Sequence, residues 1–247
     1  MKTFKSFYLL LAISTSFCYS YAQTCIIIVK SPQGICVGTD TRNKTPYDGI
    51  ERSDTVCKIR KFNNFYISVS GINAGPVYEA ALSSIQTQKT LEDIGKDFVT
   101  REHILRQQYL DSLRSDKINF AKSFIGLQKL EIAIYGYENG IPKILPIVFN
   151  LDSKIDEPIH LTDSVYTIYL QRSKETNVLA MGHCDDVRNI LFDPEFWAHQ
   201  KAEIGVEQLI NIECRLKPQE VGKPIDVLLI FNEKEYKWAK GPARCSF

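Results

Sequence analysis

Residues 24–42 read Thr24-Cys25-Ile26-Ile27-Ile28-Val29-Lys30-Ser31-Pro32-Gln33-Gly34-Ile35-Cys36-Val37-Gly38-Thr39-Asp40-Thr41-Arg42. Cys25–Val29 is an unbroken apolar run dominated by β-branched residues. Ser31-Pro32-Gln33-Gly34 is a turn signal, and Ile35–Asp40 is a second strand-like run. This spacing predicts a β-hairpin. The first strand lacks the polar alternation of a sheet with one wet face, so both of its faces are covered by other layers.

Immediately upstream, residues 1–23 have the form of a secretory signal peptide. Lys2 and Lys5 give a positive start, Phe7–Ile13 a short apolar core, and Ser20 and Ala22 small residues at −3 and −1 to a cut after Ala22. The apolar run is well short of the roughly 20 residues that span a bilayer, which argues against an anchor. Bulky Phe17 before Cys18 argues against a lipoprotein. The expected organisation is therefore a leader over 1–23 and one domain over 24–247, exported to a periplasm or secreted. Cleavage after Ala22 leaves Gln23 ahead of Thr24. If Gln23 is also lost, Thr24 carries a hydroxyl nucleophile and an α-amine base in one residue, a recognised way to activate a weak nucleophile.

Downstream, Lys58–Phe62 and Phe65–Gly71 read as a strand pair around Asn63-Asn64. The period then becomes helical from Gly75 to about Ser115, through Val77, Ala81, Ile85, Ile94, Phe98, Leu105, Tyr109 and Leu113. Thr90 with Asp93 predicts a cap between two helices. Strands follow at Leu130–Tyr137, Lys143–Asn150, Tyr166–Leu170 and Val178–Gly182. Asp185–His199 and Ala202–Leu216 read as a second pair of helices, and Ile225–Phe231 and Glu235–Ala239 as closing strands. Strands, two helices, strands, two helices and strands predict an α+β fold. Two sheets packed face to face, each with helices outside, use every element: a four-layer αββα sandwich.

The formal charge is +1, and the leader removes two lysines and no acid. A balance so near zero gives no support for nucleic acid or an anionic membrane as partner. No later apolar run is long enough to span a membrane, so no membrane contact is expected after leader cleavage. Six cysteines follow the leader: Cys25, Cys36, Cys57, Cys184, Cys214 and Cys245. Export permits disulfides, but spacing does not choose the pairs. Without a CxxC spacing no zinc site is expected. Cys25 and Cys36 also read well as small buried strand residues.

The stretch from Thr24 to Arg42 resembles the start of a mature proteasome β-type subunit, an N-terminal nucleophile hydrolase. Thr24, Gly34, Gly38, Asp40 and Arg42 match the family pattern without a gap. Cys57-Lys58-Ile59 falls where that family keeps an active-site lysine, followed by a strand ending Ser-Gly, here Ser70-Gly71. Gly222-Lys223-Pro224-Ile225 falls at its glycine-rich turn into a late strand. The resemblance implies the αββα fold and hydrolysis of amide bonds, in peptides or in small amides, with no cofactor and no metal. It implies Thr24 as nucleophile, Asp40 holding Lys58, Lys58 protonated so as to favour a neutral Thr24 amine, and Gly71 lending its N–H to the oxyanion. A homo-oligomer is compatible with it. Met181-Gly182-His183 stands where the family has a glycine followed by a serine, with His183 in the serine position, and the family's Asp-x-x-Ser-Gly motif is replaced by Pro218–Gly222. Those departures keep a non-catalytic scaffold or binding protein in view. A cut after Thr24 would instead expose Cys25 as the nucleophile.

Overall fold

A computed structural model describes residues 24–31, 33–47, 50–71, 74–114, 129–152, 160–165 and 177–241. The leader over 1–23, Gln23, Cys18, Cys245 and the strand expected at Tyr166–Leu170 lie outside them. The hairpin forms as expected from β1 (Cys25–Ser31) and β2 (Gly34–Asp40), with Ile26 opposite Thr39 and Ser31 opposite Gly34. β3 (Arg42–Tyr47) and β4 (Ile50–Thr55) make a small separate hairpin, which the strand reading above does not include. β5 (Ile59–Phe62), β6 (Phe65–Ser70), β7 (Lys129–Glu138), β8 (Ile141–Asp152) and β9 (His160–Val165) form one antiparallel sheet in chain order. β10 (Asn177–Gly182), β11 (Ile225–Ile230) and β12 (Tyr236–Lys240) join β1 and β2 in a second, ordered β10-β1-β2-β11-β12 and also antiparallel.

Residue parity explains the layers, because successive strand side chains point to opposite faces. Ile26, Ile28, Ile35 and Val37 of one sheet meet Tyr66, Ala133 and Tyr135 of the other in a buried middle layer. Ile27, Val29 and Cys36 turn the other way, onto helix α5 (Ala202–Leu216), where Val206, Leu209 and Ile210 lie. On the far side, Phe65, Ile67, Val69 and Ile132 meet α1 (Ala74–Thr87) and α2 (Leu91–Arg114) through Val77, Ala81, Ile94 and Phe98. The fold is the four-layer αββα sandwich. Ile26, Ile27 and Ile28 are all fully buried, each contributing about 1.5–3 kcal/mol by leaving water.

Local signals mostly hold. The Asp93 N–H donates to Thr90 Oγ1 at 3.1 Å, capping α2. Asp185–His199, expected as one helix, is instead two short ones, α3 (Arg188–Leu191) and α4 (Pro194–Ala198). Pro194 lacks the N–H that a continuing helix requires, and Asp193 caps the new start by accepting from the Glu195 N–H at 3.0 Å.

Candidate active site

Thr24 directly precedes β1 and has the parity of Ile26 and Ile28, so it lies at one end of the middle layer. Asp40 ends β2. Lys58 sits in the short link from β4 to β5. That link is held by the Val56 N–H donating to Thr41 O at 2.8 Å and by Tyr78 Oη of α1 donating to Lys58 O at 2.9 Å. The three side chains converge. Lys58 Nζ donates to Thr24 Oγ1 at 2.8 Å and pairs with Asp40 Oδ1 at 2.9 Å. Thr24 is 5 %, Asp40 0 % and Lys58 6 % exposed.

The Asp40 carboxylate has further donors. The Cys25 N–H reaches Oδ1 at 3.0 Å and the Gly222 N–H reaches Oδ2 at 3.2 Å. A Cβ on Gly222 would lie 2.2 Å from Nε of Arg42, so only glycine lets this backbone approach under the guanidinium. Arg42 is itself held by Pro218 O. Burial pushes the Asp40 carboxyl up, opposed by the Lys58 charge and hydrogen bond and by those two backbone donors. Burial pushes the Lys58 ammonium down, opposed by Asp40. Each partner supplies what keeps the other charged, and loss of either leaves an ion without compensation.

Sequence reading missed a second set of contacts, on the backbone of Thr24. The His183 N–H donates to Thr24 O at 2.8 Å. Gly182, at φ +75°, is so close that an added Cβ would lie 1.8 Å from Thr24 O and 2.6 Å from Ser70 Oγ. The Gly182 N–H donates to Glu131 Oε2 at 2.6 Å. Ser70 and Glu131 are opposite each other on β6 and β7. Their parity could have flagged them, since Glu131 shares the strand face of Ala133 and Tyr135 and so brings a carboxylate to the edge of an apolar layer. Gly182→Ala is expected to cost about 1–3 kcal/mol from the left-handed backbone alone, read as a lower denaturant midpoint. The clash with Thr24 O should lower activity further than that loss of stability accounts for.

Other expectations resolve differently. Gly71 follows Ser70 at the end of β6 with φ 129° and partial exposure. It lies at the Thr24 end of the sheet, but among the described residues no hydrogen bond ties it to Thr24. The His183 ring does not serve Thr24: its Nδ1 lies 3.0 Å from Glu220 Oε2, short but out of line for a hydrogen bond. The backbone of His183 makes the contact instead. Cys25 turns away from Thr24 toward the helical layer, fully buried, with Cys184 Sγ 2.7 Å from its own sulfur. Burial pushes its thiol well up, which is opposite to what a nucleophilic thiolate needs.

No family model and no curated protein matches the chain. Solved structures do. Eukaryotic HslV from Trypanosoma brucei is 15% identical, with 82% of this chain and 97% of that chain covered at a TM-score of 0.46. Anbu (ancestral beta-subunit) from Yersinia bercovieri is 12% identical, with 88% of each chain covered at 0.46. Anbu from Hyphomicrobium sp. strain MC1 is 13% identical, again with 88% of each covered, at 0.45. The chemistry of the site rests on its own geometry.

Proposed function

We infer that this chain is an exported N-terminal threonine hydrolase of amide bonds, with peptides as the first substrate class and small amides as the second. The observation that supports the reading most is the buried run from Thr24 Oγ1 to Lys58 Nζ to Asp40 Oδ1, at 2.8 and 2.9 Å. Once the residues before Thr24 are removed, its α-amine takes the hydroxyl proton as Oγ1 attacks the carbonyl carbon. The Gly71 N–H stabilises the oxyanion. The protonated Thr24 α-amine passes that proton to the substrate's amide nitrogen, the C–N bond breaks and the substrate's amine departs, and water, with the α-amine again as base, hydrolyses the threonine ester. Lys58, held by Asp40, contributes positive charge beside the hydroxyl and the amine. The test is mass spectrometry of the mature N-terminus together with an electrophilic probe for N-terminal nucleophiles and peptide mapping. A chain starting at Thr24 and labelled there supports the enzyme. A chain starting at Gln23 that resists the probe leaves a scaffold or binding protein of the same fold.

The pH dependence follows from the same pair. An ordinary α-amine titrates at about 7.7–8.0, and the neighbouring Lys58 ammonium lowers that. Activity therefore rises with pH as the amine loses its proton, with a midpoint below that of a free α-amine. Burial lowers Lys58 from its ordinary value, so at alkaline pH activity falls as pH rises and that charge is lost, with a midpoint below that of a free lysine. A pH–rate profile should be bell-shaped. A flat profile from pH 5 to 9 would remove the amine as base.

A further inference from the structure

We propose that Cys25 and Cys184 form a disulfide that ties the start of β1 to the turn after β10. The two sulfurs face each other at 2.7 Å. A rotamer adjustment of a few tenths of an ångström on each side brings them to the roughly 2.05 Å of a covalent bond. The backbones are already in place. Cys25 is the register partner of Gly182, and the chain turns back so that the Cys184 N–H donates to Gly182 O at 3.1 Å. That turn aims the Cys184 thiol over β1, 3.8 Å from Ile26 O. Both residues belong to the apolar cluster under α5, where Cys25 is 0 % and Cys184 5 % exposed. Cys57 is disulfide-bonded, which places this chain among proteins whose thiols are oxidised. Cys25, Cys36, Cys184 and Cys214 are all buried free thiols in this structure, and of these Cys25 and Cys184 are the two whose sulfurs face each other.

The bond forms by thiol–disulfide exchange with an external disulfide, either glutathione-type or carried by a thiol oxidoreductase. One thiolate attacks a sulfur of that disulfide and expels a thiol, giving a mixed disulfide. The second thiolate displaces the other external sulfur, closing the Cys25–Cys184 bond. Two electrons pass to the external disulfide, which leaves as two thiols, and the two cysteine protons are accounted for there. Burial raises the Cys25 thiol in the folded state and blocks access, so closure accompanies folding.

Cys25 follows Thr24 and Cys184 follows His183, whose N–H holds Thr24 O. If Thr24 is the mature N-terminus, which rests on the function proposed above, it would otherwise be a chain end prone to fraying. A covalent tie one residue later fixes it. The bond itself is tested without reference to activity. The full chain is unfolded in reductant, refolded in oxidised and reduced glutathione, then alkylated with iodoacetamide in denaturant before any further reduction, digested and mapped. The expected result is a cross-linked peptide pair containing Cys25 and Cys184 that separates on reduction. Cys36 and Cys214 should be alkylated throughout. In Cys184→Ala, Cys25 should become fully alkylated and the Tm should fall by several degrees. Wild-type protein with Cys25 and Cys184 both alkylated, or with either joined to a different cysteine, overturns the proposal.

Discussion

Thr24→Ala eliminates hydrolysis, a fall on the order of 10⁶-fold, the scale on which hydrolases lose turnover with their nucleophile. Neither Lys58 nor Asp40 replaces the missing oxygen: one is a donor to Oγ1 and the other is held behind it. Thr24→Ser keeps the hydroxyl and loses only the methyl group that restricts its rotamer, so it retains part of the activity. The stability change in Thr24→Ala is about 1.5–3 kcal/mol, the worth of one hydrogen bond from a charged donor, and no more than that because Lys58 keeps its pairing with Asp40. The same variants report on processing. If Gln23 is removed by self-cleavage, the Ala variant retains it and the Ser variant loses it. If an external aminopeptidase does the trimming, both begin at position 24. Turnover of a fluorogenic peptide panel and intact mass measure both. Wild-type turnover in Thr24→Ala would remove Thr24 from the reaction.

The hairpin at residues 24–42 was legible because two independent signals coincide there. The run Ile26–Val29 needs cover on both faces, and the structure gives it the second sheet on one side and α5 on the other. The same stretch carried Thr24 and Asp40 at a spacing that a hairpin register converts into proximity. Lys58 was found through resemblance, and its contact with both is a tertiary fact. β3 and β4 escaped notice although Asp48-Gly49 between them is a recognised hairpin dipeptide, because RNKTPY and IERSDT have no apolar alternation and Pro46 argues against a strand. The break at Asp193-Pro194 was readable and was overridden by apolar spacing across it, although a proline inside a helical pattern ends the helix before it.

The contacts that hold Thr24 from behind were less accessible. Gly182 and His183 act through backbone approach across strands, and nothing in the spacing of such residues records an approach of that kind, whereas the carboxylate of Glu131 could be placed by strand parity. His183 shows the limit well. A histidine in a substituted position invites a role for its ring, yet the structure uses its N–H, which any non-proline residue supplies. Likewise the Cys25–Cys184 pair is one of fifteen groupings by sequence and is singled out only when β1 and β10 are aligned.

Lys58→Ala is expected to abolish turnover and also to destabilise the fold, against the simpler view of Lys58 as an electrostatic residue whose loss leaves the structure untouched. The reason is burial. Asp40 has no exposure, and removing Lys58 leaves its carboxylate, among the described residues, with the backbone donors of Cys25 and Gly222. Breaking a buried ion pair from one side costs about 3–5 kcal/mol, so lost activity in this variant has two causes. Lys58→Arg keeps the charge, but the guanidinium is planar and larger than the space between Thr24 Oγ1 and Asp40 Oδ1 that one ammonium fills, so it fails too. The double variant Lys58→Met/Asp40→Asn separates the causes. Both charges go, the shape is largely kept, and stability recovers most of the loss, since neutral replacement of a buried pair is often tolerated. Turnover does not recover with it, because the positive charge beside the Thr24 hydroxyl is gone. Denaturant melts and peptide turnover on the same three variants decide it. If stability and turnover returned together in the double variant, Lys58 and Asp40 would be structural supports and the chemistry at Thr24 would need another source of charge.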